Sequence, residues 1–311
     1  MARMNSGEVE VMSELKYQNV GDSDIAYYEY GCGEPLLLIH GYPLNGFTFR
    51  KLLPSLASRF RCYVLDLPGA GASRWTATTD FGFRAQAQGL KIFADRLGMR
   101  SYSLLSHDTG GTIARQLSII DPQGVYRQVI IGSEIPNHRP PWIRFFQFSS
   151  LFPGANSRLR RSMNSPKFLH SAMGFGGCFF DPLLIDGDFH QLFVQPMLDS
   201  EHVREGQIYR LRGIDWKVVD SLAKGHGQIQ CPVLLIWGEE DPVFPLEKAK
   251  HMVAQFRDCR GLIAVPQAKL FVHEEQPEIV AKASLDFLLD PAFDLDRWKA
   301  TNIVGRPSTI T

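Results

Sequence analysis

The stretch YSLLSHDTGGTIA, Tyr102 to Ala114, decides how the chain is read. Its apolar run breaks off at Asp108 and restarts after Gly110 and Gly111. A short Leu-rich run reads as a strand buried on both faces, and the segment from Thr109 reads as a helix. Small residues at Ser106, Gly110 and Gly111 allow a sharp strand-to-helix turn, which lifts residue 108 onto a strained tip. In open parallel sheets ligands bind at that C-terminal edge. The tip therefore carries a carboxylate where a ligand would sit.

Similar runs flank it: PLLLIHG, RCYVLDLPG, QVIIGSE, CPVLLIWGEED and GLIAVPQ. Each is short, rich in Leu, Ile and Val, and bounded by Gly or Pro. Segments such as Phe83 to Leu97 fit covering helices, and the alternation predicts a mainly parallel α/β sheet. It lapses between about Pro136 and Gly227, where PPWIRFFQFSSLF, SRLRRSMN and GFGGCFF are aromatic and arginine-rich. The expected organisation is a core over 15–135 and 228–290, a helical cap over 136–227, and peripheral termini over 1–14 and 291–311.

Lys plus Arg and Asp plus Glu number 33 each, so the chain as a whole has no field to hold nucleic acid or an anionic membrane. Cys32, Cys62, Cys178, Cys231 and Cys259 lie far apart without CxxC spacing, and read as thiols of a reducing compartment. The opening MARMNSGEVEVMSELK lacks the apolar run of a signal peptide, and no stretch is long enough to span a bilayer. A cytoplasmic protein is expected.

With HGYP after one strand, DLPGAGAS after the next, SHDTGG at the turn, WGEEDPVFP after a late strand and FVHEEQPEIVA before the last helix, the sequence resembles the α/β-hydrolase superfamily. Within it the chain is similar to the aspartate-nucleophile branch of haloalkane and haloacetate dehalogenases and epoxide hydrolases. The resemblance runs from roughly Tyr27 to Leu289. It implies an α/β-hydrolase fold with an inserted helical cap, and a chain order of nucleophile, acid, then histidine.

A carboxylate at the tip points to substitution at saturated carbon. Serine alkylated at such a carbon becomes an ether that resists water, whereas an aspartate becomes an ester that water cleaves. The resemblance implies that the backbone N–H groups of Tyr42 and Thr109 hold the oxyanion of ester hydrolysis. It places the orienting acid at Asp241, with Glu134, just after the QVIIG strand, as the alternative.

The base departs from the family pattern. Counting back from Pro277 and forward from VPQA both reach Leu270 where the catalytic histidine is expected, so the usual Gly-His pair is Lys269-Leu270. His273 lies three residues on, ~10 Å in extended chain. Either the loop is re-routed and His273 serves as base, which is the favoured reading, or the base is absent.

For the leaving group the resemblance implies Tyr209 in the cap, with Trp142 and Trp216 as indole donors. His40 is a further substrate-side candidate, although shaping its loop is the stronger reading. The aromatic cap suggests a small apolar organic substrate, with water as cosubstrate and neither metal nor organic cofactor. The expected activity is hydrolysis of an epoxide or a carbon–halogen bond through an Asp108 ester. The alternative is a non-hydrolytic or ligand-binding protein of the same fold, for which Leu270 speaks.

Overall fold

A computed structural model of the protein describes residues 14–302. Nine strands form one sheet: β1 (Lys16–Asn19), β2 (Ser23–Tyr30), β3 (Glu34–Ile39), β4 (Phe60–Asp66), β5 (Arg74–Trp75), β6 (Tyr102–His107), β7 (Val125–Ile131), β8 (Val233–Gly238) and β9 (Cys259–Val265). Their order is β1-β2-β4-β3-β6-β7-β8-β9, with β5 paired to β2. The run from β4 to β9 is parallel, and β1, β2 and β5 add an antiparallel edge.

The parallel strands are buried on both faces, which is why their sequences are continuous apolar runs rather than alternations. Leu37, Ile39 and Leu104 face one core; Leu36, Leu38 and Leu105 face the other. The first core packs the helices Phe83–Arg96 and Thr109–Ile120, the second the helix Pro277–Leu289.

Between β7 and β8 the described residues form helices only, among them Pro141–Ser150, Ala155–Met163, Glu201–Arg212 and Trp216–Gly225. This helical insertion lies in the stretch where the strand pattern lapses. It is knitted to the loop after β9. Glu275 accepts hydrogen bonds from the amides of Phe180 (2.6 Å), Asp181 (3.0 Å) and Lys269 (2.9 Å), and the Phe271 amide donates to the Cys178 carbonyl (3.3 Å).

The expectations for residues 1–13 and 303–311 lie outside the described residues. Within the expected peripheral tail, the helix Leu295–Asn302 docks on the core instead. Trp298 is buried and donates its indole N–H to Asp286 at 2.8 Å. The five cysteines are free thiols, and no described helix is long and apolar enough to cross a membrane.

Candidate active site

The sheet delivers β6 into a tight turn at Asp108, whose backbone adopts φ 52° and ψ −130°. Such a conformation in a non-glycine residue costs about 1–3 kcal/mol and persists only where neighbours enforce it. Here the Asp108 amide donates to the Gly132 carbonyl at 2.7 Å, and its carbonyl accepts from Ser133 Oγ at 2.9 Å. Close approach also demands glycine nearby. A Cβ on Gly41 would meet the Asp108 side chain at 2.4 Å, and one on Gly110 would meet the Ile39 carbonyl at 2.2 Å.

This packing brings the HGYP loop onto the carboxylate. The Tyr42 amide donates to Asp108 Oδ2 at 2.7 Å. Arg210 holds the loop from the insertion side, donating to the carbonyls of Gly41 (3.0 Å) and Leu44 (3.1 Å). Glu134 completes the group, accepting from Thr112 Oγ1 (2.8 Å) and Ser133 Oγ (3.1 Å). Beneath them lies Arg115, fully buried. Its Nη2 donates to Thr112 Oγ1, Ser133 Oγ and the Glu134 carbonyl at 3.0, 2.8 and 2.9 Å.

Asp108 and Glu134 both line a cavity of about 320 Å³ between the sheet edge and the helical insertion. Trp142, Phe146, Phe175, Leu211, Leu270 and Phe271 supply much of its apolar wall. Burial, reinforced by the neighbouring Glu134 carboxylate, holds the Asp108 carboxyl well above the usual range, against the pull of the Thr109 and Tyr42 amides. Burial also raises Glu134, with Arg115 opposing. Burial thus opposes ionisation of both carboxyl groups. The hydroxyl of Thr109, in the cavity wall, is buried without a hydrogen-bond partner.

His273 is not brought to this group. Its ring is fully buried between the sheet and the loop at residues 46–51, with Nε2 2.6 Å from Thr48 Oγ1, and Nδ1 has no partner among the described residues. It packs on His107 at 4.3 Å and Phe49 at 5.7 Å, does not line the cavity, and is held well below the usual histidine pKa by burial. The cause is its neighbour. Glu274 is ion-paired with Arg50 at 2.5 Å and Lys51 at 3.2 Å, which pins the short helix Val272–Glu275 to that loop and turns residue 273 with it.

Leu270 takes the cavity-facing position instead. Asp241 Oδ1 accepts from the amides of Val243 (2.8 Å) and Phe244 (3.1 Å), while Oδ2 is buried without a partner among the described residues. Leu270 Cδ1 and Asp241 Oδ2 lie 3.3 and 3.9 Å from where a Cβ on Gly132 would stand, so the unused oxygen looks onto the leucine's surroundings. Burial pushes the Asp241 carboxyl up to about 7. The carboxyl expected to orient an imidazole thus has no hydrogen-bonded imidazole among the described residues.

Of the other expected residues, Tyr209 and His40 lie away from the cavity lining, whereas Trp142 and Trp216 line it. Tyr209 does not line the cavity; its ring stacks on Phe81 at 5.5 Å and meets Trp75 edge-on at 5.4 Å. The next residue, Arg210, one step round the helix, is buried and acts electrostatically on Asp108, a role that the sequence reading gave to its neighbour Tyr209. His40 is a buried loop-shaper, Nε2 accepting from the Leu67 amide at 2.9 Å and Nδ1 donating to the Gly41 carbonyl at 2.8 Å. Trp216 lines the cavity, but its N–H is committed to Gln147 Oε1 at 2.6 Å. Trp142 lines the cavity and its indole N–H makes no hydrogen bond among the described residues. Tyr42 also faces the cavity, with burial raising its phenol to about 12. No three described His, Cys, Asp or Glu side chains are grouped so as to hold a metal ion.

Comparison with known proteins agrees with this architecture. The chain is 28% identical over 274 residues to haloalkane dehalogenase 2 of Mycobacterium tuberculosis, covering 84% of this chain and 90% of the relative. It is 27% identical over 296 residues to human epoxide hydrolase 4, covering 88% and 78%. Among solved structures, epoxide hydrolase CorEH without ligand superposes with a TM-score of 0.72 at 21% identity, covering 88% of this chain and 98% of that one. The alpha/beta hydrolase family model matches residues 36–283, and the chain belongs to that family.

Proposed function

We propose that the protein hydrolyses a small apolar molecule at an electrophilic saturated carbon, an epoxide or an alkyl halide, through an ester on Asp108. The observation that carries the reading is the Asp108 carboxylate, set on a strained turn at the floor of an apolar cavity with Oδ2 held by the Tyr42 amide. Oδ1, the oxygen Tyr42 does not hold, attacks the carbon. The carbon–halogen bond breaks and halide departs toward the free Trp142 N–H, or the epoxide C–O bond opens and the alkoxide takes the Tyr42 phenol proton.

In the second half-reaction water attacks the ester carbonyl carbon. Oδ2 becomes the oxyanion, stabilised by the Tyr42 and Thr109 amides, where loss of one donor typically raises the barrier by ~3 kcal/mol. With His273 turned away, the proton acceptor we assign is Glu134, the other carboxylate of the cavity wall. Esterification removes the Asp108 charge, so Glu134 then ionises more readily and is ready to take the proton from water. The oxyanion collapses and the bond between the ester carbonyl carbon and Oδ1 breaks; the departing alkoxide takes the proton of the water-derived hydroxyl, leaving Asp108 a carboxylate, and Glu134 passes the proton it took to the Tyr42 phenolate in the epoxide case or to solvent in the halide case.

Halide and diol release from a panel of haloalkanes and epoxides tests this, comparing the wild type with Asp108→Asn. Release that Asp108→Asn abolishes supports the reading, and release that survives the substitution refutes it. A second reading, that the ester forms and is not hydrolysed, or that the cavity only binds, is favoured by Leu270 at the base position and the idle Asp241 oxygen. Under that reading the wild type releases no more than one halide per chain, or none.

A further inference from the structure

The helical insertion leaves several large apolar side chains exposed. Phe145, Phe148, Leu151, Phe152, Met173 and Phe180 are all exposed, Phe148 at 61% and Leu151 at 66%. Phe145, Phe148 and Phe152 follow the spacing of a single helical face, continued beyond the end of Pro141–Ser150. The opposite side of that helix, Trp142, Ile143 and Phe146, lines the cavity. A helix apolar on both sides is normally covered on both, yet among the described residues nothing lies over its outer side.

The segment that forms this face is locally basic, although the helix Glu201–Arg212 packed on Ala155–Met163 carries Glu201 and Glu205. Residues 135–180 contain no Asp or Glu, but hold Arg139, Arg144, Arg158, Arg160, Arg161 and Lys167. Arg139 pairs with Asp220. Arg158 ties the helix end by donating to the carbonyls of Ser149 (2.6 Å) and Pro153 (2.6 Å). Arg144, Arg160, Arg161 and Lys167 are exposed and have no ion pair among the described residues. The zero net charge of the chain, which argues against a membrane partner on average, hides this local excess.

Phe145, Arg158 and Met173 belong both to this face and to the cavity lining, so the cavity reaches the surface there. Bare aromatic and aliphatic side chains flanked by unpaired cations match the headgroup boundary of an anionic bilayer. A second copy of the chain is a poorer fit, since it would set like charges against each other. We propose that the outer face of the helices Pro141–Ser150 and Ala155–Met163 docks on an anionic lipid surface, with the cavity mouth turned to the bilayer so that apolar substrate enters from it. This docking is independent of the chemistry at Asp108.

Flotation of the full chain with phosphatidylcholine vesicles, with and without phosphatidylglycerol, tests it at low and high salt. The expected result is association with the anionic vesicles that weakens with salt. It should fall about tenfold or more in Phe148→Ser/Leu151→Ser and in Arg160→Gln/Arg161→Gln, and stay unchanged in Asp108→Asn. None of these four surface residues lines the cavity, and circular dichroism establishes that the variants are folded. Three results would overturn the proposal: a wild type that stays out of anionic vesicles, double variants that bind as the wild type does, or a concentration-dependent dimer broken by the Phe148/Leu151 pair without vesicle association.

Discussion

At the scale of the residue, the site turns on two carboxyl groups, Asp108 and Glu134, whose pKa values burial raises. Glu134 raises the Asp108 pKa by like charge. Glu134→Gln keeps an oxygen for Thr112 and Ser133 but removes that charge, so the Asp108 pKa should fall. Alkylation of Asp108 should then persist to lower pH than in the wild type, while hydrolysis of the ester slows by roughly 10²-fold or more for want of a base. Stopped-flow and quench measurements separate the two steps, and an unchanged pH profile with unchanged ester hydrolysis would remove Glu134 from the mechanism. Leu270 offers the complementary experiment. Leu270→His sets an imidazole beside the unpartnered Asp241 oxygen and at the wall of the cavity over Asp108, and should accelerate ester hydrolysis at least tenfold. A variant that folds yet leaves the ester lifetime unaltered would show that this position does not reach the ester.

At the scale of the element, the turn at Asp108 depends on the helix that follows it and on the end of β7. Arg115 joins them, bonding to Gly111 and Thr112 on one side and to Ser133 and Glu134 on the other. Arg115→Met should cost about 3 kcal/mol, because it leaves Glu134 buried without its nearest cation. A urea midpoint giving less than about 1 kcal/mol would show that the element stands without it. The strands of the parallel run were legible because burial on both faces leaves an unbroken apolar signature, and the SHDTGG turn because sharp geometry needs small residues. The antiparallel edge formed by β1, β2 and β5 was not: β2 carries polar and aromatic residues, and β5 is only two residues long. The direction of His273 was out of reach for a different reason. It follows from the Arg50–Glu274 pair, whose partners are 224 residues apart in sequence. Likewise Tyr209 and Arg210 differ by one step of a helix, about 100° of rotation, which local sequence does not phase.

At the scale of the whole molecule, a buried carboxyl with one unpartnered oxygen should be visible in global stability. The folded chain holds the Asp241 carboxyl at about 7 against an ordinary 3.8. The native state therefore binds a proton that the unfolded chain releases, and the cost of ionising Asp241 in the fold accumulates as pH rises from about 4 to about 7. Above that range it is constant, at most ~4 kcal/mol. Asp241→Asn keeps the oxygen that Val243 and Phe244 use and removes the charge, so it should raise the melting temperature at pH 8 and leave it nearly unchanged at pH 4. Equal effects at the two pH values would mean that Asp241 is not held protonated by burial.

The most direct measurement of the central claim is the intact mass of Glu134→Gln after exposure to an alkyl bromide or an epoxide, followed by peptide mapping. The account predicts one added alkyl or hydroxyalkyl group per chain, on Asp108, that is absent in the Asp108→Asn/Glu134→Gln double variant. An unmodified Asp108 in protein that releases halide or diol would contradict it.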